Sequence, residues 1–104
     1  MYTRTVDIIR HSPAGEWIGL ANLTCTFHQE VENWVGVCQE LGTSSYGDSL
    51  KEANEQLAEA ILLQLTEVTR LGYVDQFLKE RNVRLSPIPS PTNQYGWTLA
   101  GAGI

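Results

Sequence analysis

The side chains able to do chemistry are few in this chain, and they stand far apart. Asp7, Glu40 and Asp48 are the carboxylates that could gather at one end of a sheet. Three such carboxylates converging on divalent ions would make a phosphodiester-cleaving centre, with His28 as a proton carrier beside them. Cys38 with His28 is the other pair to weigh, a thiolate and its base, but no third residue stands ready to orient the imidazole. None of these groups has motif-like spacing. Asp48 and Glu40 have structural duties at a helix start and in a chain corner, and Asp7 suits a solvent-exposed strand position. Cys25 and Cys38 are too few for a disulfide scaffold and lack C-x-x-C spacing. The inventory predicts no catalytic residue, no metal and no cofactor, and so a binding protein rather than an enzyme.

The elements that must position these residues are legible from periodicity. Asp48 adds negative charge where a helix dipole favours it, and Ser49 with Glu52 reads as a capping box. Leu50, Ala53, Leu57, Ala60, Ile61, Leu65 and Val68 then recur at helical spacing, and Gly72 closes the helix. Asn54 and Gln64 lie at the edge of that stripe, where loop backbone can satisfy them.

Before the helix, Thr5–Arg10 reads as a short strand, Ser12-Pro13-Ala14-Gly15 as a turn, and Glu16–Leu20 as a second extended arm. Leu23, Cys25, Phe27, Gln29 and Val31 alternate with polar neighbours, the pattern of a half-buried strand. A turn at Glu32-Asn33 leads to a return strand, Trp34–Leu41, and Thr43–Tyr46 is a third short strand. Placing Val35, Val37 and Leu41 on the helix-facing side with Phe27 puts Cys25 inward and Cys38 and Trp34 outward, so no disulfide between the two cysteines is expected. Beyond Gly72, Tyr73–Arg81 is a short helix buried through Val74, Phe77 and Leu78 and ended by Asn82. Ser86-Pro87-Ile88-Pro89-Ser90-Pro91 cannot sit in a central strand and reads as a stiff spacer.

The expected architecture is α+β: a small antiparallel sheet of three to four strands, one long helix packed on one face, and a short second helix. Residues 1–86 form the domain and residues 87–104 a Pro-rich tail. With net charge −5 and seven Lys and Arg spread along 104 residues, the chain is poorly suited to neutralising nucleic-acid phosphates and better suited to basic protein partners. The N-terminus lacks a signal-peptide core and no apolar run approaches a membrane span, so a cytoplasmic protein is expected.

Trp34–Gly42 (WVGVCQELG), followed by Tyr46–Ala53 (YGDSLKEA), resembles the N-terminal domain of HicB-type antitoxins, and Phe77–Arg81 (FLKER) is similar to that family's second helical segment. The likeness covers residues 22–82. It implies a partial ribonuclease-H-like sheet with a helix on it, homo-oligomers, and a small basic mRNA-interferase toxin that the antitoxin covers and neutralises. Gln39 stands where the family commonly has proline, and residues 1–21 look like an N-terminal addition. Only the Pro-rich tail follows the matching segment, so operator binding is not expected. The alternatives are an orphan oligomeric interaction module and, least favoured, a metal-dependent nuclease.

Trp34, Leu62, Leu63, Tyr95, Trp97 and Leu99 have no place in a two-layer monomer of this kind. Together they form the candidate surface for self-association, as dimer or tetramer, or for a partner.

Overall fold

A computed structural model describes residues 1–12, 15–90 and 96–101. The expected turn residues Pro13 and Ala14, and Tyr95 of the candidate surface, lie outside them. The chain runs β1 (Tyr2–His11), β2 (Trp17–Glu30), β3 (Asn33–Cys38), β4 (Ser44–Gly47), α1 (Leu50–Arg70), α2 (Val74–Glu80), β5 (Ser86–Pro89) and β6 (Gly96–Ala100). The sheet is six-stranded and antiparallel, ordered β4-β3-β2-β1-β6, with β5 also paired to β2.

This corrects the expected sheet of three to four strands. The two extended arms and the strand from Asn22 are not separate short pieces. β2 runs unbroken for 14 residues, and all ten residues of β1 pair with it. So long a strand has room for two neighbours on one edge: β3 along its C-terminal half and β5 at its start. The Pro-rich segment is therefore strand rather than spacer. Its prolines are compatible because β5 is hydrogen-bonded to β2 alone. β6 folds back onto β1, pairing Leu99 with Ile8 and Trp97 with Arg10.

The β2–β3 hairpin turns at Val31-Glu32, one residue earlier than expected, with Val31 at φ 51° and almost fully exposed. A two-residue turn pairs odd-numbered residues of β2 with even-numbered residues of β3. Phe27 therefore faces Gly36, and Cys25 faces Cys38. The helix-facing residues of β3 are Trp34, Gly36 and Cys38, whereas Val35 and Val37 point to the other side of the sheet. Volume explains the choice: a Cβ on Gly36 would lie 2.7 Å from the Phe27 ring, so no valine fits opposite that phenylalanine. The expected outward placement of Cys38 and Trp34 is wrong for this reason.

The core lies between the sheet and α1. Val6, Ile8, Ala21, Leu23, Cys25, Phe27 and Cys38 meet Ala53, Leu57, Ile61 and Leu65, and Val74, Phe77 and Leu78 of α2 extend it. The helix begins as its sequence dictates, with Ser49 Oγ accepting from Glu52 N–H at 3.1 Å. β4 is tied to it by Ser45 Oγ donating to the Ala53 carbonyl at 2.8 Å. Gly47 is required here, since a Cβ would fall 2.4 Å from the Ala53 nitrogen. At the far end Gly72 takes φ 72° while Tyr73 N–H reaches the Val68 carbonyl. Gln64 accepts from Thr43 Oγ1, an amide at the stripe's edge satisfied by the loop before β4.

Candidate interaction surface

α1 buries one stripe against the sheet, and its 21 residues hold the opposite stripe in solvent. Glu52, Glu55, Gln56, Glu59, Leu63, Thr66, Glu67 and Arg70 are all exposed. Helical spacing puts Glu59 one turn before Leu63 and Glu67 one turn after it. Leu63 retains 63% of its accessible surface, a large apolar group framed by carboxylates. Lys51 pairs with Glu55 at 2.6 Å and Arg70 with Glu67. The Arg70 hydrogen bond holds the Glu67 carboxyl below its ordinary range, and Glu55 raises Lys51 in the same way. Glu52 and Glu59 form no ion pair among the described residues and remain open to an outside cation.

Of the described residues expected at the surface, Leu63 alone is strongly exposed; Leu62 beside it is half-buried. Trp34, Trp97 and Leu99 pack against the core of their own chain. Trp97 is fastened there, its Nε1–H donating to Thr69 Oγ1 of α1 at 2.9 Å and its ring lying 5.9 Å from the Arg10 guanidinium. Arg10 in turn pairs with Asp75 of α2 at 3.2 Å. The structure also exposes Tyr46 on β4 and Leu71 and Tyr73 after α1. Position next to the Gly72 terminus was the available signal for the latter two, because a helix's buried stripe ends where its last turn does.

The candidate catalytic groups do not come together. Asp7 accepts from the Asn22 amide in mid-sheet. Glu40 accepts from Thr24 N–H in the middle of β2 at 2.7 Å, and Asp48 is exposed just before α1. His28 sits at the far end of β2 beside Glu30, 3.1 Å away. It shares the sheet face of Val35, opposite to that of Cys38, so the Cys38–His28 pair does not form. Among the described residues no three His, Cys, Asp or Glu side chains are placed to hold a metal ion, and no helix is long and apolar enough to cross a membrane. A cleft of about 530 Å³ runs between α2 and the segment after it and is lined by Asp75, Leu78, Lys79, Asn82 and Arg84 among others.

Compared with family models, with curated proteins and with solved structures, the chain finds no match.

Proposed function

We propose that the chain is a non-enzymatic binding protein of the HicB-like antitoxin type, which covers a small basic mRNA-cleaving toxin with the outer face of α1. The observation that carries this reading is Leu63, exposed at mid-helix with Glu59 and Glu67 one turn to either side. An apolar anchor within a ring of charge suits a partner that brings an apolar contact and cations together. The local structure of the segment that resembles the antitoxin motif supports the reading. Trp34–Cys38 is strand, Gln39–Gly42 a corner, and Ser49 the cap of α1.

The test is co-expression with the neighbouring open reading frame. Co-purification of the two proteins and rescue of growth are the expected results. Leu63→Arg combined with Glu59→Lys should weaken the complex by about tenfold or more and leave the melting temperature unchanged. If the two proteins do not associate, this reading fails.

A second reading, self-association, is favoured by one feature. β4 is an edge of the sheet, and its Tyr46 is 67% exposed; an open edge is a template for another strand. Sedimentation of the chain alone at tens of micromolar, with Tyr46→Lys as the control, separates this reading from the first.

A further inference from the structure

Across the helix-facing side of the sheet, Arg4, Cys25 and Cys38 stand in one cross-strand row. Arg4 of β1 is the partner of Cys25 on β2, which is the partner of Cys38 on β3. The two cysteines occupy a non-hydrogen-bonded position of the β2–β3 ladder. Gln39 N–H donates to the Thr24 carbonyl at 2.9 Å, whereas Cys38 N–H turns the other way, to the Thr43 carbonyl at 2.8 Å. At such positions facing Cα atoms lie about 4.5 Å apart and side chains come closest. Disulfides span Cα separations of about 4.4–6.8 Å. A bridge can therefore form without moving either strand.

The surroundings differentiate the two sulfurs. The interaction between the two thiols raises Cys25 and lowers Cys38, and the backbone N–H groups of Leu41 and Glu40 also favour a thiolate at Cys38. These contacts, the one with Cys25 foremost, hold Cys38 below the ordinary thiol range against the opposing effect of burial. The same contact between thiols, together with burial, pushes Cys25 up. The Glu40 carboxylate disfavours a thiolate at either sulfur, and the Arg4 guanidinium favours one at Cys25. Arg4 Nε is itself buried with no hydrogen-bond partner among the described residues.

We propose that Cys25 and Cys38 are a redox-active dithiol, Cys38 attacking and Cys25 resolving, which a peroxide converts to a cross-strand disulfide. The Cys38 thiolate attacks one peroxide oxygen; the O–O bond breaks, the departing hydroxide takes up a proton, and Cys38 becomes a sulfenic acid. Cys25 then gives up its proton and its sulfur attacks that of Cys38. The S–S bond forms, the S–O bond breaks, and a second water leaves. The two thiols lose two protons and two electrons, and the peroxide gains both to leave as two waters. The void beside Cys25, under α1, holds only about 10 Å³, room for no more than about one water. With both sulfurs buried, oxidant reaches the pair only through a transient opening of the fold, and the finished disulfide is shielded when the fold closes again.

The test uses the reduced full-length chain, exposed to hydrogen peroxide at neutral pH for graded times. It is then alkylated under unfolding conditions and weighed intact. The expected product is monomeric, lighter by two hydrogens and free of alkyl adduct. Dithiothreitol should reverse the change, and the oxidised form should melt roughly 10 °C higher. In Cys25→Ser, dimedone should trap a sulfenic acid on Cys38, and in Cys38→Ser it should trap none. Three results with the wild-type chain would overturn the proposal: two alkylatable thiols after prolonged exposure, disulfide-linked dimers, or sulfinic acid on Cys38. These readouts do not depend on the variants folding.

Discussion

At the scale of single residues, the contact that organises the sheet is a phenylalanine ring over a glycine. Phe27 is fully buried, and Gly36 across from it leaves the space its ring occupies. Gly36→Ala should destabilise the fold by about 1–3 kcal/mol, because the added methyl forces the ring or strand β3 to shift. Phe27→Ala should cost roughly 3–5 kcal/mol through lost burial and the cavity left behind. Thr26→Ala, on the opposite sheet face, should cost far less. Denaturant midpoints of the three variants check the register, and equal losses for Phe27 and Thr26 would contradict it. The helix cap belongs to the same scale. Ser49→Ala removes the acceptor for Glu52 N–H and should cost roughly 0.5–2 kcal/mol.

At the scale of elements, β6 is the piece whose role differs most from expectation. Trp97 links three elements: it lies in β6, pairs with Arg10 of β1, and hydrogen-bonds Thr69 of α1. Trp97→Ala should lower stability by roughly 2–4 kcal/mol, somewhat less than for a fully buried tryptophan because this one is only half-buried. Trp97→Phe should recover most of the packing but not the hydrogen bond. Thermal melts of the two variants separate these contributions. If both behave like the wild type, β6 is an ornament rather than part of the sheet.

At the scale of the whole molecule, the charge distribution counts for more than the net charge. Arg10, Lys79, Arg81 and Arg84 belong to α2, the segment after it and the β1 residue paired with it. The outward face of α1 carries Glu52, Glu55, Glu59 and Glu67. Four of the seven cations, dispersed along the sequence, are therefore gathered around α2, while Lys51 and Arg70 stay on α1 in pairs with Glu55 and Glu67. A basic partner bound to the α1 face should dissociate faster as salt is raised, because exposed charges are screened within about 10 Å at 0.1 M. Salt-independent binding would point to a different surface.

The sequence alone determined the elements whose signals are local. The Ser49 cap, the 3.6-residue apolar stripe of α1, the Gly72 terminus and the short α2 with its Val74, Phe77 and Leu78 face all form where periodicity and capping chemistry place them. Tertiary structure alone decided what depends on partners distant in the chain. Whether Val37 or Cys38 faces the helix turns on the register set by the two-residue turn at Val31-Glu32 and on the space opposite Phe27. Whether the Pro-rich stretch is spacer or strand turns on the free edge of β2, some 70 residues earlier in the chain. A strand's inner face is fixed by what lies across from it, and alternation read along one strand is equally consistent with either side. The same limit hid the row of Arg4, Cys25 and Cys38, which exists only when three strands are laid side by side. Leu63, by contrast, lies off the helical stripe, and local spacing alone marked it for the surface.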